Sequence, residues 1–475
     1  MARGEGQFAR DLIVPLRRGA GPLHRQIERG LREAIREGRL VAGSSLPSSR
    51  ALARELDVSR GVVFEAYAQL AAEGYLVARR GGVTRVGEQR AASAPRARPS
   101  RAVGGVAPHD LLAGRPDLAS FPRHAWAAAW RRALRRVPDA QLGYPDPRGA
   151  AELREALAAY LGRARAAAPD PQRIVVSTGA SQGVALLARV LRDRGHAALA
   201  VEDPGFPLHR LAVARAGLEP VPVPVDGEGL DVDALAASGA RAVLVTPAHQ
   251  MPTGVVLSPA RRAELLAWAD EVDGLVVEDD YDAELRFDRE PVGALQGLDP
   301  SRVAYAGSAS KALANALRLG WLLVPEALVR PLAQERMLAD GGGAILEQLA
   351  LADLIARGDL DRHLRRVRRL YRTRRDALLA AIEEHLPGTE VTGVAAGLHA
   401  LVILDEGADE AAVLHEARRA GVALNGLSEL RVAARGDDRA GLVLGYGHLP
   451  EPALVRAVAA LGAAVHRARS RTAGE

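Results

Sequence analysis

The chain has 475 residues, of which 48% are hydrophobic and 25% charged, a composition typical of soluble globular proteins. At roughly 100–200 residues per domain, this length is too great for one ordinary domain. Cysteine is absent, which excludes disulfides, thiolate metal ligands and a cysteine nucleophile. No apolar run approaches ~18 residues, and the first residues contain no apolar segment of signal-peptide type, so we expect a cytoplasmic protein without a membrane span.

The net charge of +5 is unevenly distributed along the chain. Residues 1–100 contain 18 arginines and 10 acidic residues, whereas the remainder is slightly acidic. A basic N-terminal fifth is typical of a nucleic-acid-binding module attached to a neutral body. Lys311 is the only lysine. Because a guanidinium keeps its charge, this lone amine is a candidate for chemistry that needs a deprotonated nitrogen, although chance could also leave a single lysine.

Helical periodicity predicts three helices in the first hundred residues. Pro22 opens the first helix, Ser48 or Ser49 caps a short second one, and Ser59 caps the third. The buried face of the third helix is expected to carry Val63, Ala66, Tyr67 and Leu70. Two short strand-like runs follow, at residues 75–78 and 84–86. This order of elements predicts a mainly α-helical winged helix-turn-helix over residues 12–86.

In a helix-turn-helix, the second helix of the motif enters the DNA major groove with its first residues near the base edges. Here that helix begins at Arg60, and the preceding helix carries Arg50 over the phosphate backbone. The residues expected to contact DNA are Ser48, Arg50, Ser59, Arg60 and Gly61, with Arg79, Arg80 and Gly82 at the tip of the wing. Because arginine is common throughout the chain, a small basic domain with solvated arginines is the alternative.

Residues 87–108 are rich in Ala, Pro, Ser, Arg and Gly and show no periodicity, which predicts a flexible linker. From residue 109 to about 468, short apolar runs alternate with helical segments, a pattern typical of an α/β domain with a mostly parallel sheet. The region from about 360 to 468 is expected to form a smaller α+β subdomain. The predicted strands of the larger part are Ile174–Val176, Ala198–Val201, Ala242–Val245, Leu275–Val277, Val303–Ala306 and Trp321–Val324.

The single lysine lies in a loop rich in hydroxyl groups. Residues 307–311 read Gly-Ser-Ala-Ser-Lys directly after a predicted strand, and Arg318 follows seven residues after Lys311. A deprotonated amine can form an imine with an aldehyde, and hydroxyls beside an arginine suit a phosphate. Pyridoxal 5′-phosphate (PLP) carries both groups and also needs a carboxylate beside its pyridine nitrogen. The lysine loop therefore points to PLP.

Other segments supply the remaining parts of such a site, although each has an ordinary alternative. Residues 174–183 run from a strand into the start of a helix, where free amides can bind an anion, or form a plain turn. The acidic run 278–282 follows a strand and could also be a solvated cap or a metal site. Phe206 could lie against a ring or belong to the core.

The N-terminal hundred residues resemble the GntR family of winged-helix regulators. The matching pieces are Leu-Pro-Ser-Ser-Arg at 46–50, Val-Ser-Arg at 58–60 and Ala-Glu-Gly-Tyr at 72–75. The family often has Asn-Thr where this chain has Gly61 and Val62. The operator sequence is therefore left open.

Residues 110–465 resemble fold type I aminotransferases, and most closely the MocR subfamily of GntR regulators, which joins the two domains. The resemblance implies that Lys311 anchors PLP within the motif that also holds Ser308 and Ser310. It implies phosphate contacts from Arg318, Ser308, Ala180 and Ser181, and a pyridine-nitrogen contact from Asp279. It further implies roles for Tyr281 at the ring hydroxyl, Phe206 in ring stacking, His249 in the loop 246–254, and Tyr144 across the interface of a head-to-tail homodimer.

Two positions depart from the aminotransferase pattern. Met251 stands where catalytic aminotransferases carry the Asn that helps to hold the ring oxygen of the cofactor. Val443 stands where these enzymes usually place the arginine that binds the substrate carboxylate. An apolar side chain cannot pair with a carboxylate, so either Arg431 or Arg439 substitutes for it, or the effector lacks that carboxylate. No metal site is expected.

The leading hypothesis is a PLP-dependent transcriptional regulator that binds a double-stranded DNA operator and senses a small amine or PLP itself. The second is a working aminotransferase with an accessory DNA-binding domain, for which Lys311, Asp279 and Arg318 argue, and against which Met251 and Val443 argue. The third is a DNA-binding protein whose enzyme-like domain holds no cofactor and only dimerises. Turnover assays and the visible absorption of the purified protein distinguish these hypotheses.

Overall fold

The computed structural model describes residues 16–77, 83–87, 107–287, 292–432 and 439–472. The chain divides into two compact units, Met1–Gly105 and Val106–Glu475, each with its own hydrophobic core. Most of the predicted linker, residues 88–106, lies outside the described residues. Within the described ranges, no helix has both the length and the apolarity needed to cross a membrane.

The N-terminal unit contains the predicted three helices and a two-stranded antiparallel sheet. These elements are α1 (Leu23–Arg36), α2 (Ser49–Glu55), α3 (Arg60–Ala72), β1 (Leu76–Val77) and β2 (Arg85–Val86). Ser48 caps α2 by accepting a hydrogen bond from the amide of Ala51. Ser59 precedes α3, but its side chain makes no capping hydrogen bond to a described residue. Pro22 immediately precedes α1 instead of occupying its first position.

The core of this unit lies between the three helices, because the apolar positions of each helix share one face. Ile27, Leu31, Leu52, Val63 and Leu70 are fully buried there. The remaining residues predicted for the inner face of α3, Ala66 and Tyr67, are buried as well. The wing tip predicted at residues 79–82 falls outside the described residues.

The C-terminal unit is an α/β domain, as predicted. Its strands are β3 (His109–Asp110), β4 (Ile174–Ser177), β5 (Ala198–Asp203), β6 (Glu219–Asp226), β7 (Gly229–Leu230), β8 (Ala242–Val245), β9 (Leu275–Asp279), β10 (Val303–Ser308), β11 (Gly320–Leu323), β12 (Glu390–Thr392), β13 (His399–Ile403), β14 (Val422–Ala423), β15 (Asn425–Gly426) and β16 (Gly441–Gly445). Its helices are α4 (Arg123–Arg136), α5 (Ala151–Arg165), α6 (Ala180–Asp193), α7 (Pro207–Arg215), α8 (Val232–Ala237), α9 (Pro259–Glu271), α10 (Ala309–Ala312), α11 (Glu326–Asp340), α12 (Ile345–Ala356), α13 (Asp359–His385), α14 (Glu410–Arg419) and α15 (Glu451–Thr472).

An eight-stranded sheet in the order β4-β11-β10-β9-β8-β5-β6-β7 forms the centre of this unit. Neighbouring strands from β10 to β6 are parallel, and β11 runs antiparallel to both β10 and β4. Alternate residues enter different cores: Val277 packs with the cluster on one face and Val276 with the cluster on the other. Both faces are therefore covered, which explains why the strands read as continuous apolar runs.

Strand β6 was not predicted, because its sequence is unusual for a strand. Pro220, Pro222 and Pro224 alternate with valines along it. Proline has no amide hydrogen to donate, so it is tolerated in strands whose outer edge is largely unpaired. The pairing fits this rule, since β6 has the long strand β5 on one side and on the other the two-residue strand β7.

The carboxyl ends of β4, β9 and β10 meet at one edge of the sheet, because these strands run in the same direction. The antiparallel strand β11 begins at that edge, where Gly320 lies opposite both Ser177 and Ser308. The lysine loop, the start of α6 and the acidic run after β9 therefore converge. Ligands of open α/β sheets bind outside the carboxyl ends of the strands.

A second sheet, in the order β12-β13-β16-β15, lies in the C-terminal part of the unit. The opening segment of the unit joins this part, since β3 pairs in parallel with β14. The small subdomain predicted from the sequence begins at about residue 360, so the prediction does not include β3. A two-residue strand that pairs across more than 300 residues leaves no local pattern from which the pairing could be predicted.

Candidate functional site

A cavity of about 260 Å³ opens at the carboxyl edge of the large sheet. Of the residues predicted to bind a cofactor, those that line it are Lys311, Asp279, Tyr281, Arg318, Ser308, Ser310, Ala180, Ser181 and Phe206. These residues come from five separate stretches of the chain. The structure thus brings together most of the set that the sequence suggests.

Lys311 lies on the short helix α10, directly after β10. Its Nζ donates a hydrogen bond to the carbonyl oxygen of Gly114 at 2.5 Å. Burial lowers the pKa of the Lys311 amine, and the carboxylates of Asp282 and Asp279 partly oppose that shift. A lowered pKa increases the fraction of neutral amine, which is the form that reacts with carbonyl compounds.

Asp279, the last residue of β9, is held by a histidine that the sequence analysis did not identify. Its Oδ2 lies 3.2 Å from Nε2 of His209, and both side chains are buried. Its Oδ1 is also buried and has no hydrogen-bond partner among the described residues. Phe206 packs edge to face against the His209 ring, with centroids 5.1 Å apart. A buried carboxylate oxygen without a partner fits a protonated pyridine nitrogen, so this end of the cavity suits PLP.

The start of α6 offers the other feature that PLP requires, a site for its negatively charged phosphate. Gly179 precedes the helix with a φ of +95°. The first intrahelical hydrogen bond is donated by the amide of Gly183, so the amides of Ala180 and Ser181 have no acceptor within the helix. Arg318 donates from Nη2 to the carbonyl oxygen of Thr178, which holds the guanidinium beside this helix start. Amides at a helix N-terminus and an arginine together suit a phosphate group.

Tyr281, which lines the cavity, belongs to a buried hydrogen-bonded group with His249 and Asp282. Nδ1 of His249 lies 2.9 Å from Oδ2 of Asp282 and 3.1 Å from the hydroxyl of Tyr281. Burial and the carboxylates of Asp282 and Asp279 raise the pKa of Tyr281, so its phenol remains a hydrogen-bond donor. His249 itself does not line the cavity but contacts two residues that do, Tyr281 and Asp282.

His399 packs against this group, with its ring centroid 5.1 Å from that of His249, and its Nε2 lies 3.2 Å from the carbonyl oxygen of Pro252. Burial lowers the pKa of His399 to about 3, so the ring is neutral. His249, Asp282 and His399 are residue types that can bind a metal ion, and their ligand atoms lie within 4.8 Å of one another. However, Gly397 packs directly against Asp282 and His249 with a φ of +70°, in a space where even a Cβ would overlap both. The arrangement is therefore that of a packed hydrogen-bonded group.

The two positions where the aminotransferase pattern expects a polar residue, 251 and 443, are both apolar in this chain. Met251 lines the cavity, and Val443 is fully buried in β16. Val443 packs in a cluster with Leu401, Ile403, Leu427 and Leu430, against which Ala113 and Met251 lie. Within the described part of the chain, the lysine and arginine side chains that line the cavity are those of Lys311 and Arg318.

Besides His249, three predicted residues of this unit do not line the cavity. Tyr144 is 94% exposed and does not line the cavity of its own chain. Arg439 forms an exposed ion pair with Glu390 at 2.9 Å, so the suggestion that it replaces the missing arginine finds no support. Arg431 is not among the described residues that line the cavity either.

Sequence reasoning missed His209, Asp282, Asn315 and His399, all of which line the cavity. His209 lies one helical turn after Phe206, and Asp282 belongs to the acidic run that contains Asp279, so both had a positional signal. His399 lies in an ordinary apolar strand far along the chain, where no local pattern indicates its contact with His249.

In the N-terminal unit, the predicted contact residues Ser48, Arg50, Ser59, Arg60 and Gly61 are all exposed. Nε of Arg60 donates to Oγ of Ser49 at 3.4 Å, so the start of α3 lies beside the start of α2. Arg79, Arg80 and Gly82 lie outside the described residues.

Comparison with known proteins yields matches for both units. Residues 23–86 match the gntR family of bacterial regulatory proteins, and residues 111–437 match aminotransferase class I and II. The chain is 35% identical to the HTH-type pyridoxine biosynthesis transcriptional regulator PdxR of Corynebacterium glutamicum, over 93% of this chain and 95% of that protein. It is also 35% identical to the probable rhizopine catabolism regulatory protein MocR of Rhizobium meliloti, over 77% of this chain and 78% of that protein.

Solved structures resemble the C-terminal unit. Kynurenine aminotransferase of Pyrococcus horikoshii, in complex with PMP, is 26% identical with a TM-score of 0.69, and the match covers 77% of this chain and 92% of that one. LysN, an α-aminoadipate aminotransferase of Thermus thermophilus complexed with N-(5′-phosphopyridoxyl)-L-leucine, is 27% identical with a TM-score of 0.68, covering 76% and 92%.

Proposed function

The chain belongs to the GntR family of bacterial regulatory proteins, of the MocR type with an aminotransferase class I and II domain, and we propose that its regulatory ligand binds at Lys311. It is a transcriptional regulator with a helix-turn-helix domain joined to an aminotransferase-like domain. The ligand we propose is PLP, alone or together with a small primary amine. The partner of the N-terminal unit is a double-stranded DNA operator.

One observation carries the proposal for PLP: the lone lysine and a buried carboxylate oxygen without a described partner line the same cavity. Lys311 would hold the aldehyde carbon, and Oδ1 of Asp279 would accept a hydrogen bond from the pyridine nitrogen. The start of α6, Arg318 and the hydroxyls of Ser308 and Ser310 would hold the phosphate. When bound, PLP supplies an aldehyde that exchanges one amine for another.

His209 supports this arrangement by fixing the orientation of Asp279. Because His209 contacts Oδ2, the other oxygen is left facing a site for a donor. The Tyr281 hydroxyl is available for the ring hydroxyl, and His249 and Asp282 keep that phenol in position. Phe206 provides an apolar surface beside the same site.

The apolar side chain of Met251 favours a ligand without an α-carboxylate. Met251 lines the cavity and packs against the cluster that contains Val443, so a carboxylate placed there would bury an unpaired charge, which costs several kcal/mol. The lysine and arginine that line the cavity within the described ranges are already assigned to the aldehyde and the phosphate. PLP alone, or an amine with an apolar substituent, meets this constraint.

Occupation of Lys311 has a direct structural consequence in the proposal. With PLP held at Lys311, the nitrogen would carry at most one hydrogen and would be fixed toward the aldehyde carbon, which would change its contact with the carbonyl oxygen of Gly114. Gly114 belongs to the opening segment of the unit, which follows the linker in sequence and pairs with β14. A ligand changes DNA affinity only if it binds two conformations differently, and this segment is the element that we propose to differ.

Tyr144 has a role in the proposal only if the chain dimerises. Its ring is 94% exposed in one chain, a position that suits a residue donated to the site of a partner. We propose a head-to-tail homodimer, consistent with the two-fold symmetry of many DNA-binding regulators. Sedimentation at micromolar concentration should give a mass of about twice 50.2 kDa.

The direct test is to add PLP to purified protein, reduce it with borohydride, and digest it for mass spectrometry. We expect the phosphopyridoxyl group on Lys311 and none on Lys311→Ala protein. The Asp279→Asn variant should bind PLP more weakly, while the variant Arg39→Ala, altered in the other unit, should match the parent. Absence of a modified Lys311 peptide would overturn the cofactor proposal. Multiple turnovers of an amine and a keto acid would show that the chain is also an aminotransferase.

A further inference from the structure

Phe64 is an exposed aromatic residue on α3. It is 65% exposed, whereas the apolar residues beside it, Val63, Ala66 and Tyr67, are buried. A single exposed apolar side chain is common on protein surfaces and has no meaning by itself. Phe64 is of interest because of its place in the helix-turn-helix motif.

Phe64 lies on the outer face of the helix that enters the DNA groove in this class of motif. Arg60, Phe64 and Ala68 are spaced four residues apart and are all exposed, so they share one face. Gly61 has no side chain, and the nearest atom that a Cβ there would meet is Oγ of Ser59, at 3.8 Å. Phe64 therefore projects beyond small neighbours on this face.

The charges around Phe64 suit a polyanion. Arg50 and Arg60, near the starts of α2 and α3, are exposed. The neighbouring acid, Glu65, lies with its carboxylate 3.6 Å from Nδ1 of His24 on α1. The outer face thus has an apolar centre with arginines at one end, in a unit whose first 100 residues are net positive.

The major groove presents one apolar group on its base edges, the C5 methyl group of thymine. We propose that Phe64 contacts the methyl group of a thymine in each half of the operator and so selects thymine at that position. This inference rests on the DNA binding of the N-terminal unit. The adjacent Gly61 and Val62 offer no polar side chain for base recognition, which leaves Arg60 and Phe64 as the large exposed side chains among the first five residues of α3.

The test compares thymine with deoxyuridine, which pairs identically but lacks the methyl group. A duplex is first selected from a random library with the full-length protein. Each thymine of that duplex is then replaced in turn by deoxyuridine, and dissociation constants are measured by fluorescence anisotropy for the parent, Phe64→Ala and Phe64→Leu. Val41→Ala provides a matched control, because Val41 is also exposed (63%) but lies after α1, outside α2 and α3.

For the parent we expect one thymine per half-site whose replacement weakens binding about fourfold, the factor that corresponds to ~0.8 kcal/mol for one buried methyl-sized group. Phe64→Ala should weaken binding to the thymine duplex about tenfold and lose this discrimination, while Phe64→Leu and Val41→Ala should retain it. The proposal is overturned if the parent binds the selected duplex but tolerates every replacement, or if Phe64→Ala discriminates as the parent does. Failure of the parent to select any duplex would instead contradict DNA binding itself.

Discussion

The amine of Lys311 donates a hydrogen bond to the carbonyl oxygen of Gly114 at 2.5 Å. This contact joins the loop after β10 to the segment that opens the C-terminal unit. The same segment pairs with β14 through β3, and Gly445 of β16 donates to the carbonyl oxygen of Leu111 within it. Through the segment that contains Gly114, Lys311 is therefore linked both to β14 and to β16 of the second sheet.

Gly114→Ala tests the importance of this segment for the ligand site. Gly114 has a φ of +75°, and a Cβ there would lie 3.1 Å from Nζ of Lys311. We expect the substitution to lower the unfolding free energy by about 1–3 kcal/mol through backbone strain and to weaken PLP binding at least tenfold through crowding. PLP binding is followed by visible absorption, and unfolding by denaturant titration.

Gly195→Ala is the matched control, since Gly195 has a φ of +88° and open space where a Cβ would be. It should show similar backbone strain with unchanged PLP binding. Equal PLP affinities for the two variants would contradict the role given to the Gly114 contact.

The pKa of Lys311 can be measured directly, because no second lysine competes. Burial lowers this pKa from the ordinary value of 10.5, so the amine loses its proton at a lower pH than a free lysine does. The rate of acetylation of Lys311 by a trace of acetic anhydride should rise with pH. It should reach its plateau at a lower pH than the rate for a lysine peptide in the same mixture. A midpoint equal to that of the peptide would show that the amine is not tuned by its cavity.

His209→Ala tests the support of Asp279. Without the imidazole, the buried carboxylate loses its hydrogen-bond partner, and we expect a loss of about 1–3 kcal/mol in unfolding free energy together with weaker PLP binding. His124→Ala serves as the control, because His124 is exposed on α4. If denaturant titration gives the two variants the same stability, His209 does not position Asp279.

The apolar side chain of Met251 predicts a preference between two related ligands. With PLP bound, 3-methylbutylamine should shift the visible spectrum at a concentration at least tenfold lower than leucine, its α-carboxylated counterpart, because leucine would bury its carboxylate against the apolar side chain of Met251. Titration of both ligands against the same preparation measures this ratio. Tighter binding of leucine would mean that a cation outside the described lining binds the carboxylate.

Arg60→Ala tests the assignment of α3 to the DNA groove. The loss of an arginine that contacts phosphate or guanine should weaken binding to a selected duplex about tenfold, and the slope of log K against log salt should fall by about 1 if the contact is to phosphate. Arg39→Ala removes the same charge from a residue that pairs with Glu37. Affinities that are unaffected in both variants would contradict groove docking by α3.

Much of this architecture could be predicted because its signals are local. The inner face of α3 follows helical spacing, and the buried strands of the large sheet read as short apolar runs. The residues around Lys311 could be grouped because their order along the chain resembles the aminotransferase pattern, and because Ala180, Asp279 and Lys311 each lie at or just after the end of an apolar strand. Conversely, β3 and His399 depend on contacts between distant segments, which no local pattern encodes.

The proline-rich strand β6 shows a different limit. Its three prolines argue against a strand by propensity, yet the adjacent β5 supplies pairing on one side, where the valine amides can donate.

The suggestion that Arg439 replaces the missing arginine rested on its position along the chain. In the structure, Arg439 forms an ion pair with Glu390 on the exposed surface.

The central claim is that a ligand on Lys311 changes the affinity of the regulator for DNA. The most direct measurement is the dissociation constant for a selected duplex with and without saturating PLP, for the parent and for Lys311→Ala. Allosteric coupling is typically about 1–3 kcal/mol, so we predict at least a fivefold change for the parent and none for the variant. An affinity that PLP leaves unchanged in the parent, or changes equally in both proteins, would contradict the claim.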